Sequence, residues 1–311
     1  MRTDVSISPR VGSPAESPRR RAARRRRIRA LVATVGFIGV AVGASAGIAA
    51  LLNRTDAVPK VIRCAASLDG TDWYLEPDQA DTVALLAGQA LQLALPARAL
   101  TIAIATGLQE SKLRNITGGD RDSVGIFQQR PSQGWGTVEQ IMDPVFATTA
   151  FYDALVKVDG YQDLPITEAA QAVQRSGFPE AYGEHEAAAR AWASAMYGYS
   201  AGTVTCTLAP PDGPGDAQAL LARAQRDLGI GGTVTDAGVT LDAATLIASP
   251  DRAERVGWAV AHWAVAVAEP LAVTEVRYST SVWDRAEGTW TVVPDAPTDL
   301  APGQVLVVLA D

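Results

Sequence analysis

The chain has 311 residues, 48% of them hydrophobic and 20% charged, a composition that excludes a disordered protein and allows roughly two domains. The net charge of −7 averages two unlike parts: residues 1–30 hold ten arginines against Asp4 and Glu16, a net +8, and the rest of the chain carries a net −15. Two histidines, His185 and His262, lack the cysteine or carboxylate spacing of a metal site, and no glycine-rich stretch has phosphate-loop context, so neither a metal nor another cofactor is expected.

The basic tail, residues 1–30, is followed by Leu31 to Leu52, 22 residues without a charge. At 1.5 Å rise per residue this length would cross a hydrocarbon core of about 30 Å, so a single transmembrane helix over residues 31–52 is expected. The arginines beside it place the tail in the cytoplasm and the domains that follow outside the cell membrane, in a single-pass topology. A cleaved signal peptide is the alternative, because Ala44-Ser45-Ala46 has the form of a cleavage site. Gly39, Gly43 and Gly47 share one helix face, where a homodimer could form. The tail is read as orienting the chain on anionic lipid, not as a nucleic-acid site.

Cys64 and Cys206 are the only cysteines and bracket a domain taken as residues 60–208; in an oxidising exterior they should form a disulfide. Within it, apolar periodicity predicts helices over 78–95, 97–112, 143–158, 167–174 and 184–196, with irregular loops at 117–125 and 131–136. The domain should be mainly α. A Pro/Gly linker, residues 209–216, leads to residues 217–311, where helical patterns over 217–228 and 252–269 and strand composition at 273–278, 289–293 and 304–309 suggest a small α+β module. Its Tyr278, Trp283 and Trp290 read as core.

Glu110 ends the apolar run that begins at Leu100 and is followed at once by Ser111. A carboxyl so placed would be partly removed from water, the environment in which it keeps its proton and can act as a general acid. Eighteen residues later stand the paired glutamines of Gly125-Ile126-Phe127-Gln128-Gln129-Arg130-Pro131.

Gly107-Leu108-Gln109-Glu110-Ser111 followed by Asp122-Ser123-Val124-Gly125-Ile126-Phe127-Gln128-Gln129 resembles the Glu-Ser and Gly-Leu-Met-Gln signatures of soluble lytic transglycosylases and goose-type lysozymes, and the stretch to Thr137 resembles lysozyme-like domains of actinobacterial cell-wall proteins. The likeness covers roughly residues 73–200. It implies a lysozyme-like helical fold and cleavage of the β-1,4 bond between N-acetylmuramic acid and N-acetylglucosamine in peptidoglycan glycan strands, with Glu110 as the acid. A transglycosylase needs no second carboxylate; an inverting hydrolase does, about 6.5–9.5 Å away, and Asp120 and Asp122 are the candidates. Gln128 matches the signature glutamine, able to donate to and accept from an N-acetyl group, and Gln129 stands beside it.

Two departures from that pattern bear on the site. Phe127 replaces the signature methionine, and the family's Tyr-Asn-x-Gly segment is replaced by residues 172–179, so Gln174, Ser176 or Tyr182 would stand in for the usual tyrosine near the acid. Ser111 either bonds the helix end or meets substrate, and Trp135 either packs a loop or meets substrate. A catalytically silent peptidoglycan-binding protein is the competing reading.

Overall fold

A computed structural model describes residues 60–175, 179–246, 253–294 and 300–311, with residues 19, 22, 25–27 and 29–37 nearer the N terminus. The N-terminal helix, α1, is described over residues 29–37. No helix among the described residues is long and apolar enough to cross a membrane. This overturns the expected transmembrane helix and, with it, the single-pass localisation built on it. Residues 38–52, with Gly39, Gly43 and Gly47, lie outside the described residues.

Residues 61–311 form a compact unit of their own. It opens with strands β1 (Arg63–Leu68) and β2 (Thr71–Leu75), joined by Asp69 and Gly70, both at positive φ (52° and 76°). That pair of left-handed residues suits the right-handed twist of the hairpin, and Asp-Gly adopts it at little cost. Strand β3 (Val204–Thr207) returns to pair with the other edge of β1, which puts Cys64 directly opposite Cys206, and the two are joined in a disulfide.

Between β2 and β3 lie the helices α2 (Pro77–Gln92), α3 (Ala97–Ser111), α4 (Val138–Met142), α5 (Pro144–Leu155), α6 (Ile166–Gln174) and α7 (Glu186–Met196). Helix α2 starts at a reciprocal capping box between Glu76 and Gln79, with Pro77 at its first position. Helix α3 is buried from Ala99 to Gly107, and its many small side chains let it lie close against the alanine-rich α7. It stops because Lys112 and Leu113 are both left-handed (φ 55° and 60°), while the Leu113 N–H donates to Gly107 O and its side chain packs on Gly107.

After β3 come α8 (Ala217–Leu228), β4 (Gly232–Thr235), β5 (Gly238–Asp242), α9 (Ala253–Ala266), β6 (Val273–Tyr278), β7 (Ser281–Asp284), β8 (Thr289–Val292) and β9 (Gln304–Leu309). The six strands form an antiparallel sheet in the order β4-β5-β9-β6-β7-β8. This half shares a core with the helices before it. Gln89 and Gln92 of α2 donate to the carbonyls of Arg226 and Asp227 at the end of α8, carbonyls that a helix end leaves without partners. Asp227, fully buried, is satisfied by Arg223, Arg226 and the Trp263 indole. Trp290 of β8 donates to Val204 O of β3, and Trp283 and Tyr278 are buried, as their reading as core residues requires.

The expected class, a mainly α lysozyme-like domain with a small α+β module behind a membrane helix, is corrected by these sheets. The described residues are about 48% helix and 18% strand, with antiparallel sheets of three and six strands, too much strand for a mainly α description. The strands that escaped the pattern are short and hold residues of weak strand preference, such as Ala65 and Ala66 in β1; pairing on both sides makes that strand.

Candidate active site

Helix α3 delivers Glu110 half-buried to the wall of a cleft of about 540 Å³. The loop 124–129 contributes Gln128 to the same cleft; it is closed by an antiparallel bridge between Val124 and Gln129 and folded tightly at Gly125 (φ 82°), where a Cβ would press on the Ile141 carbonyl. Phe127 anchors this loop: it is fully buried and stacks on Phe151 of α5 with ring centroids 4.3 Å apart.

Three polar side chains from three directions then hold the loop against the helices. Ser111, buried at the end of α3, donates to Ile126 O at 2.6 Å and accepts from the Arg114 N–H at 3.1 Å. Gln174 at the end of α6 donates to Phe127 O at 2.6 Å. Gln129, 1% exposed, donates to Ala147 O of α5 at 3.1 Å. Ser111 and Gln129 are therefore directed into the fold and are absent from the lining of the cleft, whereas Gln174 both braces the loop and lines it.

Gln128 is left on the cleft side, half-buried and in a left-handed conformation (φ 49°), with its amide donating to Gly125 O at 3.1 Å. Gly119 makes room for it: a Cβ there would fall 1.6 Å from Gln128 Oε1. Gly119 thus has a steric reason unrelated to phosphate binding, whereas a Cβ at Gly118 would meet nothing within 4 Å.

The two aspartates separate. Asp122 accepts from Arg130 Nε at 2.8 Å and from the Ser132 N–H and hydroxyl at 2.8 and 3.0 Å; the Arg130 guanidinium first, then Ser132, holds its carboxyl well below the usual carboxylate range. It braces the loop 131–134 and is not among the cleft's walls. Asp120 is an exposed residue of the cleft, with Arg121 Nε 3.8 Å away.

Tyr182, from the 3-10 turn Pro179–His185, is fully buried and donates its hydroxyl to Glu110 Oε1 at 2.6 Å. Of the three residues that could stand in for the missing tyrosine, this one reaches the acid; the Gln174 amide donates instead to Phe127 O, and Ser176 lies outside the described residues. Beside it His185 Nε2 lies 3.2 Å from Gln109 Oε1, and burial, opposed by Glu184, lowers the histidine's affinity for a proton.

Trp135 packs on the core and also lines the cleft. Past Trp135 the cleft continues into a second lobe of about 560 Å³, which shares Gln133, Trp135, Gln174 and Arg175 as walls and adds Lys157 and Val158. Each lobe is large enough for a small ligand, for which about 300–1,000 Å³ is usual. Gln109, Arg121, Gln133, Arg175 and Lys157 are not singled out as site residues by the sequence, although Gln109 and Gln133 stand within the stretches that carry the resemblance and Arg175 in the segment that departs from the Tyr-Asn-x-Gly pattern; Lys157, in the turn after α5, carries no motif.

Among the described residues no group of three or more histidine, cysteine, aspartate or glutamate side chains could hold a metal ion. Compared with protein-family models and with the sequences of curated proteins, the chain matches none of them. What the cleft does has to be read from its own residues.

Proposed function

We propose that the chain cleaves a glycosidic bond of a peptidoglycan-type glycan, with Glu110 as general acid. The observation that carries this reading is the Tyr182 hydroxyl on Glu110 Oε1, at the wall of an elongated cleft whose other walls supply an amide, Gln128, and an aromatic face, Trp135. Tyr182 fixes one carboxyl oxygen and leaves Oε2 to carry the proton that the leaving glycosidic oxygen would take. A cleft with both apolar and amide walls suits sugars, which present apolar ring faces and hydrogen-bonding edges.

Two routes follow once the bond breaks. In the hydrolytic one a second carboxylate activates water, and Asp120 is the carboxylate available, since Asp122 is engaged by Arg130 and Ser132. In the other, the deprotonated Glu110 serves as base while the sugar's own 6-hydroxyl closes a 1,6-anhydro ring, and no second carboxylate is used.

The test is digestion of purified peptidoglycan with mass analysis of the products, run on the wild type and on Glu110→Gln, Asp120→Asn and Asp122→Asn. Glu110→Gln should lower cleavage at least about 100-fold. Loss in Asp120→Asn with reducing ends means hydrolysis, and anhydro ends with Asp120→Asn active mean the intramolecular route. No cleavage by the wild type, or full activity in Glu110→Gln, overturns the proposal.

A further inference from the structure

We propose that the lobe beyond Trp135 is a binding site for the carboxylates of an acidic glycan, read by Lys157 and Arg175, so that the cleft selects an anionic polymer over a neutral one of the same sugar shape. This rests on the glycosidase reading for what becomes of the ligand, not for how it binds.

The lobe has no aspartate or glutamate in its walls, yet carries two cations, Lys157 and Arg175, both exposed. That is unusual in this chain, whose net charge beyond residue 30 is −15 and which has only three lysines in all. Eight arginines elsewhere, Arg98, Arg114, Arg121, Arg130, Arg223, Arg226, Arg277 and Arg285, each lie within ion-pair distance of a carboxylate, and Arg63 and Arg255 lie over the rings of Tyr74 and Tyr199. Lys157 and Arg175 have no carboxylate within that distance among the described residues.

Arg175 is the left-handed residue (φ 52°) that ends α6, and a cation there also suits the negative end of the helix. That would account for Arg175 alone; it leaves unexplained why Lys157, from the turn after α5, lines the same lobe. A neutral sugar needs neither cation, because Trp135, Val158, Gln133 and Gln174 already offer apolar and amide contacts. A guanidinium fork and an ammonium group match carboxylates. The lobe adjoins the Glu110 cleft through shared walls, so carboxylates along one polymer could sit here while a bond of the same strand reaches the acid.

The test uses the full chain carrying Glu110→Gln, to prevent cleavage, in binding assays with insoluble peptidoglycan, the same material with its free carboxylates amidated, and chitin as the neutral glycan. Amidation should weaken binding about tenfold, the size of two exposed ion pairs together. Adding Lys157→Gln and Arg175→Gln should cost the same factor on untreated material and nothing on the amidated material or chitin. The preference should also shrink as salt is raised. Both side chains are exposed, so these variants keep the fold. Equal binding to untreated and amidated material, or an undiminished preference in the double variant, overturns the inference. A wild type that cleaves nothing but shows the charge preference overturns the proposed function and supports this site.

Discussion

The Tyr182 hydroxyl and the Glu110 carboxyl, 72 residues apart in the chain, meet at 2.6 Å. Tyr182 is fully buried and Glu110 half-buried, so a fixed ring orients a carboxyl that still borders the cleft. The contact needs both the abrupt end of α3 at Lys112 and the 3-10 turn before α7.

Tyr182→Phe should therefore keep the fold, since only an oxygen is removed, and lower kcat for glycan cleavage about 5- to 10-fold, the effect of one lost hydrogen bond to a reacting group. KM should change little. A kcat equal to the wild type's would show that the hydroxyl does not position the acid.

Gly119→Ala tests Gln128 without touching it. The new Cβ would overlap Gln128 Oε1, the far end of a flexible side chain, so the amide must move and give up its bond to Gly125 O while the backbone stays. Gly119 is exposed, so the restriction that alanine places on the unfolded chain should roughly offset the lost Gln128 bond and the unfolding midpoint should stay about level. Cleavage should fall about 10- to 100-fold, as misplaced contacts at a reacting centre do. Combining it with Gln128→Ala should cost no more than Gln128→Ala alone; a further loss would mean Gly119 acts by another route.

How much of this was legible follows from periodicity and reach. The apolar spacing of α8 and the strand composition of β6 and β9 mark those elements at their actual ends, Ala217–Leu228, Val273–Tyr278 and Gln304–Leu309. The first sheet was not legible, because β1 and β3 acquire strand form only by pairing across 142 residues at Cys64 and Cys206. Glu110, Gln128 and Tyr182 could be named from motif and composition. The division of labour among the polar residues could not: Ser111 and Gln129 look like substrate contacts in sequence, yet their partners are the carbonyls of Ile126 and Ala147, which only folding brings near.

His262 should make stability depend on pH. It is fully buried, Nδ1 lies 2.8 Å from Ala195 O and Nε2 accepts from the Thr203 N–H, an arrangement for the neutral ring protonated at Nδ1. Burial lowers its pKa to about 4, against an ordinary value of about 6.5 in the unfolded chain. Since the folded value is the lower one, the stabilisation is complete above about pH 6.5 and is lost as pH falls from there through about 4, a total of roughly 3 kcal/mol. Urea unfolding at stepped pH should show this slope in the wild type and a shallower one in His262→Gln. Parallel curves for the two proteins would remove the histidine as the cause.

The disulfide offers the last prediction. Cys64 and Cys206 face each other across β1 and β3, so their bond closes a loop that contains every helix of the candidate site, α2 to α7. On the loop-entropy model, a closed loop of more than a hundred residues contributes about 4–5 kcal/mol, a large share of the roughly 5–15 kcal/mol that holds a typical domain folded. Reduction should lower the unfolding midpoint by a corresponding amount. Glu110, Tyr182 and Gln128 are not altered chemically, so at temperatures where the reduced protein is still folded its cleavage rate should match that of the oxidised protein. Thiol labelling of the unreduced, denatured chain should find no reactive cysteine, and two labelled thiols would refute the bond.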